Sequence, residues 1–121
     1  MRVLVVDDNE LARRIVKDVV VDQGWQVCGE AANGQEAIDL IESQRPDLVI
    51  LDFMMPVKDG LQAAREILKM RPSVPIVLNT LYCTDQLRAV AEEIGVRQVV
   101  SKSNYKTLRE VLNALGESPV N

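Results

Sequence analysis

The sequence predicts an α/β fold: a doubly wound, five-stranded parallel sheet at the centre of a three-layer α/β/α sandwich. Three observations carry this. Short apolar runs, mostly β-branched, alternate five times with segments of helical period. The runs read as apolar on both faces, as in a sheet covered on each side. Each intervening segment is too short for anything but a direct, right-handed crossover. The 121 residues suffice for one compact domain without disulfides or structural metal. Residues 1–116 are expected to form it, with 117–121 as a tail or the start of a linker.

The elements follow in order. Val3 to Val6 form the first strand, and Leu11, Ile15 and Val19 mark a helix ending near Gly24. Gln26 to Gly29 form the second strand, followed by a helix on Ala37, Ile38, Leu40 and Ile41 that stops before Pro46. Leu48 to Leu51 form the third strand; its helix runs from about Gly60 to Pro72, with Ala63, Ala64, Ile67 and Leu68 inward. Ile76 to Leu78 form the fourth, with Leu87, Val90, Ala91 and Ile94 on a helix closed by Gly95. Val96 to Val100 form the fifth, and a last helix on Leu108, Val111, Leu112 and Leu115 stops at Gly116.

Composition removes several function classes. A net charge of −4, with Arg13-Arg14 the longest basic group, speaks against direct nucleic-acid binding. The chain has no histidine, which excludes Ser-His and Cys-His nucleophile pairs, His-ligated zinc and any part as a phosphohistidine donor. Cys28 and Cys83 lack metal-type spacing and read as reduced thiols. The start, "MRVLVVDDNE", is no signal peptide, and no apolar run is long enough to span a bilayer, so a cytoplasmic location without membrane association is expected. Mixed charge on the helix surfaces leaves a homodimer open.

In such a fold, polar residues at the carboxyl ends of adjacent strands converge on one crevice. Here they are Asp7 and Asp8 after the first strand, Asp52 after the third, Thr80 after the fourth and Lys102 after the fifth. Each has an ordinary reading alone, Asp7 or Asp8 as the N-cap of the first helix above all. Their joint placement points to chemistry. Like charges ~4 Å apart repel by about 4 kcal/mol at an effective dielectric of 20, so three carboxylates share protons or hold a hard cation. Oxygen ligands without sulfur or imidazole select Mg²⁺, Mn²⁺ or Ca²⁺. Carboxylate, cation, hydroxyl and ammonium are the components of phosphoryl transfer, with Asp52 the best candidate for a nucleophile that forms an acyl phosphate.

"VVDDNE", "LVILDFMMPVKDG", the Thr at the fourth strand's end and "SK" at the fifth's together resemble the receiver domain of two-component response regulators, across essentially the whole chain. The resemblance implies a flavodoxin-like strand order 2-1-3-4-5. It implies that Asp52 accepts a phosphoryl group from a sensor histidine kinase or a phosphotransfer protein, the domain catalysing its own phosphorylation and dephosphorylation. Asp8, Asp52 and the backbone carbonyl of Met54 would hold Mg²⁺, or alternatively Mn²⁺, and Asp7 would act through water. Lys102 would pair with one phosphoryl oxygen and Thr80 would shift toward another. The receiver either stands alone or is followed by an output domain beyond Asn121.

Several positions depart from the family pattern. Val99 stands where an aromatic usually rotates behind the Thr. Ser103 replaces a usual Pro, as in many receivers joined to helix-turn-helix domains of the NarL/FixJ type. Leu81 replaces a small residue, and Tyr82 reads as a loop aromatic packed on the fourth helix. The rivals are a haloacid-dehalogenase-type phosphatase, which lacks its D-x-D here, and a receiver-like interaction module that is never phosphorylated.

Overall fold

Side-chain alternation along each strand divides the apolar residues between two cores, one on each face of the sheet. The computed structural model describes residues 1–117. Its elements are β1 (Arg2–Val6), α1 (Glu10–Asp22), β2 (Gln26–Ala31), α2 (Gly34–Gln44), β3 (Leu48–Leu51), α3 (Gly60–Met70), β4 (Ile76–Thr80), α4 (Asp85–Ile94), β5 (Gln98–Ser101) and α5 (Tyr105–Glu117). All strand pairs are parallel, in the order β2-β1-β3-β4-β5, as expected. Leu4, Val49, Leu51, Ile76 and Leu78 pack on α2, α3 and α4 through Ile41, Ala64, Ile67 and Leu87. Val3, Val5, Leu48, Ile50, Val77 and Val100 pack on α1 and α5 through Val16, Val20, Leu108 and Leu112. Each fully buried Leu, Ile or Val contributes ~1.5–3 kcal/mol relative to an exposed one.

β4 runs on to Thr80 and β5 to Ser101, and three further boundaries differ from the sequence reading, each for a physical reason. The fifth strand begins at Gln98 because Val96 belongs to the exit of α4. Gly95 adopts φ +108°, and the Gly95 and Val96 N–H groups donate to Glu92 and Ala91 carbonyls, a Schellman closure. The last helix continues through Gly116 to Glu117. A Cβ at position 116 would come within 2.9 Å of Trp25 Cζ2, so this glycine seats an indole and does not end the helix. β2 extends to Ala31 and lies at the sheet edge, mostly half-exposed instead of covered on both faces. Of the expected tail, Glu117 ends α5, and 118–121 lie outside the described residues.

Candidate functional site

The ladder hydrogen bonds continue one residue past three strands, and this places the site. Asp7 N–H donates to Ala31 O, Asp52 N–H to Val6 O and Lys102 N–H to Thr80 O, each at 2.9–3.0 Å. Alternation therefore persists: Asp7 follows Val3 and Val5, Asp52 follows Leu48 and Ile50, and Lys102 follows Val100, all toward the α1/α5 side. Asp8 falls in the turn and is exposed, whereas Asp7 and Asp52 are buried. The first helix is capped by neither aspartate: Asn9 Oδ1 accepts the Ala12 N–H at 2.9 Å, and Asp7 Oδ1 accepts the Asn9 N–H at 2.9 Å. Asp7 thus orders the cap from behind.

The three carboxylates each place an oxygen within 4.8 Å of the others. Lys102 Nζ lies 2.5 Å from Asp7 Oδ2 and 3.1 Å from Asp52 Oδ2. One ammonium offsets one of three negative charges. Burial pushes the Asp52 carboxyl above its ordinary range, more than the adjacent ammonium pulls it down. Desolvation works to discharge Lys102, but its bonds to Asp7 and the charge of Asp52 outweigh it and hold the amine above its usual value. Desolvation likewise raises the nearby Tyr105 phenol.

Asp8, Asp52, Met54 and Lys102 line a cavity of about 460 Å³ whose walls include Leu11, Leu81, Tyr82 and Tyr105. Asp7 sits behind it, against Lys102. Thr80 does not line it. As the last residue of β4 it alternates with Ile76 and Leu78 toward the α2–α4 side, fully buried, and its Oγ1 accepts the Tyr82 N–H at 3.2 Å. Leu81, the residue that replaces a smaller one, is largely exposed at the cavity mouth. Tyr82 stands half-exposed beside Leu87 and Val90 of α4. Val99 is buried in the α2–α4 core.

The loop after Asp52 is held by close backbone approach. A Cβ on Gly60 would collide with the Asp52 carbonyl and lie 2.8 Å from Phe53 Cα, so only glycine lets α3 begin there. Gly60 N–H donates to Phe53 O at 2.8 Å, and Asp59 with Gln62 forms a capping box. Val57 takes φ +70° with a Lys58 N–H to Pro56 O bond of 2.8 Å, a γ-turn of the strained hand.

Residues that sequence reasoning missed include Gly60, although "DG" before a helix signals such a turn. Arg88 is another: its guanidinium donates to Val99 O at 2.9 Å and to Cys83 Sγ at 2.7 Å, joining β5 to the loop after β4. Nothing in its sequence context distinguishes it from a solvated arginine. Asn79 of β4 is buried, and among the described residues neither of its amide atoms has a hydrogen-bond partner.

The donor chemistry suits a small divalent cation: hard oxygens only, clustered, with negative charge in excess. No helix among the described residues is long and apolar enough to cross a membrane.

Comparison with known proteins agrees with this architecture. Residues 3–113 match the family described as response regulator receiver domain. Protein CcdB of Bacillus subtilis is 35% identical over 95% of this chain and 98% of its own length. Chemotaxis protein CheY of Thermotoga maritima is 34% identical over 84% of each chain. The solved signal receiver domain of NarL from Mycobacterium tuberculosis superposes with a TM-score of 0.86 at 28% identity, covering 97% of both chains. With the fold, the strand order and the family match in agreement, the chain belongs to the receiver domains of two-component response regulators.

Proposed function

We propose that this receiver accepts a phosphoryl group on Asp52 in a Mg²⁺-dependent reaction and thereby alters a signalling surface. The observation that carries it is the Asp52 carboxylate itself: buried, open to the cavity, 3.1 Å from the Lys102 ammonium and clustered with Asp7 and Asp8. Both Asp7 oxygens are engaged, by Lys102 and by the Asn9 N–H. That favours Asp8, Asp52 and the Met54 carbonyl as direct metal ligands and leaves Asp7 to act through water. A bound Mg²⁺ supplies charge neutralisation for the entering phosphoryl oxygens.

An Asp52 carboxylate oxygen attacks phosphorus, the bond to the donor's leaving group breaks, and that group departs with the electron pair and takes up a proton. The domain assists by positioning and by electrostatics: Lys102 remains beside the new phosphoryl group, whose oxygens carry the negative charge once the acyl phosphate (mixed-anhydride) bond to Asp52 has formed. Hydrolysis regenerates the carboxylate when water attacks phosphorus. Donors of the expected class are a sensor histidine kinase, a phosphotransfer protein or a small acyl phosphate, met in the cytoplasm. The likeness to a solved DNA-binding response regulator of the LuxR family from Staphylococcus aureus favours a receiver of the type joined to a DNA-binding output domain.

Incubation with Mg²⁺ and acetyl phosphate, followed by intact mass measurement, should show one added phosphoryl group that is absent in Asp52→Asn and in EDTA. An unchanged wild-type mass would transfer the reading to an unphosphorylated interaction module.

A further inference from the structure

Two neighbouring spaces share one wall. The acidic cavity is bounded on one side by Tyr82, and so is an apolar groove of about 370 Å³ lined by Phe53, Leu61, Leu87 and Val90. Tyr82 stands on the ridge between them, lining both and 53% exposed. A dry cavity of ~150 Å³ holds benzene, so the groove has room for a phenol ring. The backbone beneath the ring is tied to the fourth strand: the Tyr82 N–H donates to Thr80 Oγ1 at 3.2 Å.

Thr80 is fully buried and does not reach the acidic cavity. For its hydroxyl to meet an oxygen of a phosphoryl group on Asp52, Oγ1 has to leave its present position, and the Tyr82 N–H loses its acceptor. Phe53, a wall of the groove, directly follows Asp52, so the same event touches both sides of the ridge. Val99 offers no ring to respond from β5.

We infer that Tyr82 has two seats with Thr80 as the latch: latched, the ring stands exposed on the ridge; released, it drops into the groove between Phe53, Leu61, Leu87 and Val90. Its burial there would change the surface between the amino ends of α3 and α4. The triggering step rests on the phosphoacceptor reading, but the latch itself does not.

The chain has two tyrosines, so 3-fluorotyrosine labelling gives two ¹⁹F resonances that Tyr105→Phe assigns. A soluble gadolinium chelate then reports exposure, with half-buried Tyr105 as the internal reference. In the unmodified protein Tyr82 should broaden more than Tyr105. In Thr80→Val without Mg²⁺ or phosphodonor it should broaden less, and Thr80→Ala gives the same readout if the valine variant does not fold. Adding Val90→Trp to fill the groove should return Tyr82 to its exposed value. Wild type with Mg²⁺ and acetyl phosphate, its mass taken from the same tube, should match Thr80→Val. Unchanged exposure in the Thr80 variants overturns the latch, as does a gained phosphoryl mass with an exposed ring. Protection that survives Val90→Trp overturns the seat. Absence of the mass gain refutes the phosphoacceptor reading alone, and the Thr80 variants still decide the latch.

Discussion

Lys102→Met removes the ammonium from between two buried carboxylates and leaves a side chain of similar length. Its Nζ lies 2.5 Å from Asp7 and 3.1 Å from Asp52, with the amine side chain only 10% exposed. At an effective dielectric of 20, the attraction at 3.1 Å is about 5 kcal/mol, and two carboxylates no more than 4.8 Å apart repel by at least about 3.5 kcal/mol. The net loss is smaller than their sum because Met needs no desolvation; breaking a buried pair from one side typically costs ~3–5 kcal/mol. We therefore expect Lys102→Met to lose about 4 kcal/mol in EDTA at pH 7, a large share of a typical ~5–15 kcal/mol total. Urea unfolding followed by far-UV circular dichroism measures it. The decisive comparison is the same substitution in an Asp7→Asn/Asp52→Asn background, where only the exposed Asp8 carboxylate remains and no buried one is left to be stranded. There it should cost nothing or stabilise. A loss below about 1 kcal/mol in the wild-type background, or equal losses in both, would refute the electrostatic account.

Four further outcomes follow from single contacts. Val57→Gly should raise stability by about 1 kcal/mol, because a β-branched residue at φ +70° is strained where glycine is not; a thermal shift that is flat or downward counts against this. Gly60→Ala should cost ~1–3 kcal/mol or more through collision with the Asp52 carbonyl, and urea titration checks it. Asn79→Leu should stabilise by ~1–3 kcal/mol by removing a buried amide with unmet hydrogen bonds, provided the leucine packs; a destabilised variant would mean the amide has a partner, such as an internal water. Glu30 bonds to Lys17 and Arg13, chiefly Lys17, and its carboxyl is thereby held below its ordinary value near 4.5. Its contribution is present above that value and fades as pH falls through the depressed one. Being well exposed, it is worth only ~0.5 kcal/mol, so Glu30→Gln should be slightly destabilising at pH 7 in low salt and neutral near pH 2.

The two-sided core was legible in the sequence because period and burial coincide. Leu48 to Leu51 is apolar at every position and is buried on both faces; the helix repeats Ala63, Ala64 and Ile67 point inward as their spacing requires. Legibility failed where a residue type serves more than one physical purpose. Gly116 reads as a helix stop yet seats Trp25, and Val96 reads as strand yet closes α4. Polar Glu30, with Ala31, extends an edge strand that composition alone shortens, since only one of its sides needs a partner strand.

By itself the sequence determined the element order, the parallel sheet and the identity of the acids, the hydroxyl and the amine at the strand ends, because these follow from periodicity and from the rule that such sheets gather polar groups at one edge. Tertiary structure alone decided which of them meet. Register and alternation bring Lys102 between Asp7 and Asp52, leave Asp8 in the open turn and turn Thr80 to the other side of the sheet, tied to Tyr82. Such outcomes depend on which way a side chain points from strands distant in sequence, and no local pattern encodes that direction until the sheet has assembled.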